Sequence, residues 1–68
     1  MKQQINELIG EQKHFKDECF EQVNELLKIN KEKLSDEEKR LLEDSILLLE
    51  NEISIRNSII SDLEKLLC

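Results

Sequence analysis

From Leu42 onward the apolar residues Leu42, Ile46, Leu49, Ile53, Ile60, Leu63 and Leu67 recur at steps of 4, 3, 4, 7, 3 and 4, a heptad seam that pauses only where Arg56 stands. This rhythm puts its members on one side of an α-helix and calls for a companion helix to cover them. The segment "EISIRNSII", Glu52 to Ile60, reads locally as a strand, because Ile53 and Ile55 alternate with polar neighbours. The longer rhythm on both sides of it overrides that reading. Proline is absent and Gly10 is the one glycine, while Leu, Glu, Lys and Gln fill the chain, a composition that strongly favours helix.

The best internal boundary is "NKEKLSDEEKR", Asn30 to Arg40, where Leu34 is the one apolar residue. Ser35 with Glu38 three residues on forms a capping box, in which each side chain satisfies an amide proton at a helix start. Asp36, Glu37 and Glu38 suit the positive end of the helix that begins there, and Lys28, Lys31 and Lys33 suit the negative end of the one before. The expected organisation is a single domain: helix 1 from Lys2 to Asn30, a loop over residues 31–35, and helix 2 from Asp36 to Leu67. A loop that short makes the helices antiparallel neighbours, an all-α two-helix hairpin. With neither glycine nor proline at the boundary, one long helix is the alternative. Gly10 costs about 1 kcal/mol relative to alanine inside a helix, so a bend or fraying is expected there.

At about 100° per residue, Ile5, Leu8, Ile9, Phe15, Cys19, Phe20, Val23, Leu26 and Leu27 fall within an arc of roughly 140° on helix 1, with Gln12 and Lys16 intruding. Helix 2 is wider. A second seam, Leu41, Leu48, Ile55, Ile59 and Leu66, broadens its apolar arc to roughly 180°. One neighbouring helix covers about one seam. Either seam of helix 2 has spacing that suits helix 1. With the Leu42 seam inward, the expected core is Phe20, Val23, Leu27, Leu42, Ile46, Leu49, Ile53, Ile60 and Leu63. The expected partner-binding set is then Leu41, Leu48, Ile55, Ile59 and Leu66, with Glu52 and Arg56 beside them. Leaving the second seam in water forgoes about 1.5 to 3 kcal/mol for each large side chain, a sum that rivals the stability of so small a domain. The hairpin is therefore expected to be completed by a partner, or by homodimerisation into a four-helix bundle.

Ser45, Glu52 and Arg56 sit near the middle of that broad face. Glu52 and Arg56 read either as an i,i+4 surface pair, worth a few tenths of a kcal/mol, or as polar residues at a contact that set register or partner choice. On the second view, Arg56→Leu raises helix stability and loosens partner selectivity.

The remaining composition excludes much. A net charge of -6, with -5 of it in residues 35–68, repels a phosphate backbone, and only Phe15 and Phe20 could stack on bases. The longest apolar run, Ile46 to Leu49, is far short of the roughly 20 residues that span a bilayer. "MKQQINELIGEQ" has no apolar core of a secretory signal, so a cytoplasmic location is expected. Cys19 and Cys68 are too few for a disulfide framework or a zinc site; Cys19 reads as a small core hydrophobe and Cys68 as an exposed thiol. His14 with Asp17, Glu18 and Glu21 is a solvated face rather than a metal site. Leu47 projects from the main face as an isolated surface leucine. No catalytic residue, cofactor, metal or small-molecule substrate is expected, and the chain reads as a non-enzyme.

The segment "RLLEDSILLLENEISIRNSIISDLEKLL", with Leu49-Glu50 near its middle and Asp62-Leu63 near its end, resembles the small E-type co-chaperones of type III secretion needle subunits. The resemblance covers Lys16 to Leu66. It implies a hairpin that docks beside a helical-repeat chaperone, the pair keeping the needle protein from polymerising before export. In architecture the chain is also similar to the small plasmid-copy-control RNA-binding hairpin dimers. Lys2, Lys13, Lys16 and Lys31 do fall toward one side of helix 1, but the overall charge opposes RNA. The favoured reading is a helical protein-binding module; the alternative is a homodimeric structural or regulatory protein of phage or plasmid type.

Overall fold

A computed structural model describes residues 1–67 as two α-helices joined by a short connection; Cys68, expected as an exposed thiol, lies outside the described residues. Helix α1 spans Lys2–Leu27 and helix α2 spans Asp36–Lys65, with one 3-10 turn at Lys31–Lys33 between them. The chain therefore breaks where the capping signals fall, and the long single helix is not formed. Arg56, late in α2, bonds Gln12, early in α1, so the helices run antiparallel. They form a rod of 51 × 14 × 12 Å.

The turn is built by side chains that compete with helix for backbone groups. Ser35 Oγ accepts from the Glu38 amide and Glu38 Oε1 accepts from the Ser35 amide, each at 3.2 Å, which completes the capping box. Asn30 Oδ1 accepts from the Glu32 amide at 3.0 Å. That bond makes Asn30 the cap of the 3-10 turn, and α1 stops at Leu27 rather than running to Asn30 as expected. The Lys28 and Ile29 amides donate to the Glu25 and Leu26 carbonyls at 3.2 Å, tightening the last turn. Helix α2 likewise tightens after Lys65, short of Leu67. Gly10 is helical, and α1 is continuous through it.

Burial follows a heptad on both helices. In α1 the buried or half-buried residues are Ile5, Ile9, Gln12, Lys16, Cys19, Val23 and Leu26, at steps of 4, 3, 4, 3, 4 and 3. In α2 the matching file is Lys39, Leu42, Ile46, Leu49, Ile53, Arg56, Ile60 and Leu63, with Glu52 and Ile59 half-buried beside it. The Leu42 seam thus faces α1. Among the described residues Ile9, Val23, Leu42, Ile53 and Ile60 form the buried core, each keeping 6–8% of its surface exposed.

Two expectations are corrected by this packing. Phe20 and Leu27, expected in the core, are 47% and 58% exposed. The apolar arc of α1 is wider than the stripe one helix can cover, and the heptad passes through Cys19, Val23 and Leu26 instead, leaving Phe20 and Leu27 on a flank. Gln12 and Lys16, expected as polar intrusions on the apolar face of α1, are half-buried in its seam. Arg56, expected at an outer contact, lies inside the hairpin seam, because it stands seven residues after Leu49 in the same file.

Candidate interaction surface

The polar layer comes first, because it fixes the orientation of the outer face. Arg56 Nη1 donates to Gln12 Oε1 at 2.7 Å, and Nη2 lies 2.8 Å from Glu52 Oε1. The guanidinium also sits 5.1 Å from the centre of the Phe15 ring, within cation–π range. Arg56 Nε is buried and has no hydrogen-bond partner among the described residues. A long arginine can occupy a helix–helix seam in this way: its stem packs while its head reaches the edge, where Glu52 remains half-exposed.

These contacts put Phe15 and Glu52 on one flank of the hairpin. Leu8 and Gln22, seven residues before and after Phe15, share that flank of α1. Gln22 lines an open groove of about 430 Å³ together with Glu25, Leu26, Ser45, Leu48 and Leu49. Leu26 and Leu49 belong to the seam and form its floor. Ser45 is too small to bridge the helices, so the floor stays open.

The second seam of α2 lies along the same flank. Leu41, Leu48, Ile55 and Leu66 are 60%, 70%, 54% and 66% exposed, and Ile59 is half-buried. Joined by Leu8 and Phe15 from α1, which are also exposed, they make one apolar face drawn from both helices. The contribution of α1 was missed in the sequence, although the seven-residue step from Leu8 to Phe15 carries it. Of the expected partner-binding residues, Glu52 lies within this face, at the helix position shared by Ser45, Ile59 and Leu66, and Arg56 lies behind it. Phe20 and Leu27 share the opposite flank with Lys13. Leu47 is 56% exposed, away from both.

The total exposed area is 5459 Å². A compact monomer of 8.1 kDa exposes about 4,500 Å². The excess of roughly 1,000 Å² is comparable with one partner's share of a standard interface.

His14 Nε2 lies 3.0 Å from Glu18 Oε1 on an exposed face, a pair that carries opposite charges only when the imidazole is protonated. No group of three His, Cys, Asp or Glu is placed to hold a metal ion among the described residues. Cys19 is half-buried in the seam and unpaired by disulfide. No helix among the described residues is long and apolar enough to cross a membrane. No family model, curated protein or solved structure matches the chain.

Proposed function

We propose that the chain is a protein-binding helical module whose apolar flank is covered by a helical partner. The observation that carries this reading is the file Leu41, Leu48, Ile55 and Leu66, all more than half exposed along one side of α2. Their remaining exposure withholds about 1 kcal/mol or more each. A domain of this size has roughly 3–10 kcal/mol of total stability, so the uncovered file is a large fraction of what holds the hairpin together. A partner helix laid against such a file recovers that burial in the helix-in-groove manner. The resemblance to needle-subunit co-chaperones gives the module a process, in which a helical-repeat chaperone supplies the cover.

The test is the behaviour of the full chain alone. Low, weakly cooperative helicity by circular dichroism is expected, rising when a helical-repeat chaperone is co-expressed. A sharp melt from a strictly monomeric chain in sedimentation would refute the reading. A melt that sharpens with concentration, and is abolished by Leu48→Asp, would assign the flank to a second copy in a four-helix bundle instead.

A further inference from the structure

We infer that the occupant of this flank is a single amphipathic helix whose apolar stripe is bordered by lysine or arginine, converting the hairpin into a three-helix bundle. The inference rests on the protein-binding reading above and adds the charge and shape of the partner.

Charge supplies the first support. On the α1 side the apolar face is bordered by Glu11, Glu18 and Glu25, which recur at steps of seven, and Glu25 lines the groove itself. On the α2 side the border is mixed: Glu37 and Asp44 occupy one helix position seven residues apart, and Arg40 stands three residues after the first and four before the second. Among the described residues Glu11 and Glu25 enter no ion pair. Of the other basic side chains, Lys13 is on the opposite flank, Lys16 and Lys39 are half-buried in the seam, Lys31 and Lys33 are in the turn, and the Arg56 guanidinium is tied to Glu52 and Gln12. Lys65 shares the helix position of Glu37 and Asp44, and it lies 4.0 Å from Asp62.

A greasy stripe with an acidic file along its α1 side selects against its own copy. A two-fold dimer that brings the α1 files together sets like charges across the interface, which opposes association. An anionic lipid surface meets the same opposition. A basic-bordered helix meets the reverse, since each of its cations approaches a carboxylate within the about 8 Å over which charge acts at physiological salt. Shape gives the second support. Leu41 to Leu66 spans roughly 37 Å at about 1.5 Å per residue, the length of one helix of roughly 25 residues. The open floor between α1 and α2 at Ser45 receives ridges from one rod, as helix packing requires.

The experiment uses the full chain and three labelled synthetic peptides of that length, with the same leucine stripe and with flanks of lysine, glutamine or glutamate, followed by fluorescence anisotropy. The lysine-flanked peptide is expected to bind about tenfold tighter than the glutamine one, and the glutamate one more weakly than either. Added salt should narrow the gap. Charge reversal by Glu11→Lys, Glu18→Lys and Glu25→Lys together should invert the order, and Leu48→Asp should abolish all binding. If that charge-reversed chain loses helicity, the salt dependence of the lysine-flanked peptide on the unaltered chain decides; its absence overturns the inference. Equal affinity for the three peptides, lost in Leu48→Asp, overturns the charge assignment and leaves the protein-binding reading standing. Failure of the lysine-flanked peptide to bind a chain that dimerises through Leu48 assigns the flank to a second copy and also overturns it. No peptide binding, with no effect of Leu48→Asp on any property, overturns both.

Discussion

The Gln12–Arg56 layer interrupts a seam whose buried members are Ile9, Val23, Leu42, Ile53 and Ile60, and its energetics can be worked from the contacts. The informative perturbation is a double-mutant cycle of Gln12→Leu and Arg56→Leu. Gln12→Leu removes the 2.7 Å acceptor from a guanidinium that already has one buried nitrogen without a partner. Losing a hydrogen bond to a charged group costs about 1.5–3 kcal/mol, and burying a leucine returns part of it, for a net loss of about 1 kcal/mol. Arg56→Leu gives up the same bond and the contact with the Phe15 ring. The Glu52 pair, with side chains 27% and 40% exposed, adds little to that loss because solvent screens it. The leucine gained roughly offsets the total, so this single change is expected near zero. The double variant removes both desolvated groups together and continues the Ile9 and Ile60 layer with apolar packing. Replacing a buried charged layer in this way stabilises by about 1–4 kcal/mol; partial exposure of Arg56 puts the expectation at about 1–2 kcal/mol. The coupling is therefore about 2–3 kcal/mol, which the cycle reads directly. Thermal melts by circular dichroism supply the measurement, with trimethylamine N-oxide added to bring weak variants into range. One kcal/mol corresponds to about 4–8 °C for a domain of this length. Additive single effects, or a double variant less stable than either single one, would refute the placement of Arg56 against Gln12. Sedimentation of the double variant carries a second expectation: mixed oligomers, because a polar layer in a seam holds register and helix order.

Other consequences are simpler to check. Gly10→Ala should stabilise the hairpin by about 0.5–1 kcal/mol, since an added methyl meets no atom within 4 Å and φ is not positive there; a lower melting temperature would contradict a continuous α1. Ser35→Ala should cost about 1 kcal/mol through loss of the capping box, seen as a lower denaturation midpoint, and an unchanged midpoint would count against that turn. Ile53→Ala should cost about 2–5 kcal/mol, whereas Leu27→Ser should cost less than about 1 kcal/mol; equal losses in urea titration would return Leu27 to the core.

Helix content, the break at Ser35 and the spare apolar surface are all local properties, and each was legible in the residues. Capping depends on side chains within three positions of one another, and heptad spacing depends on the pitch of a single helix. The candidate surface was half legible. Leu41, Leu48, Ile55 and Leu66 emerged from one helix wheel, but the contribution of Leu8 and Phe15 needed the relative rotation of two helices. The misplacement of Phe20 and Leu27 has the same origin, because an arc of apolar residues on one helix does not say which of its edges meets a neighbour.

The sequence by itself determined two amphipathic helices, the turn between them and an apolar arc on α2 too broad for one companion. Only the tertiary structure decided which seam points inward, and it sent Arg56 to Gln12 rather than to an outside partner. The physical reason is that spacing along a chain fixes which residues share a face, whereas facing residues across a hairpin are chosen by burial of the whole interface at once. Here that choice buried the Leu42 file against Ile9 and Val23 and left Leu48 and its neighbours in water.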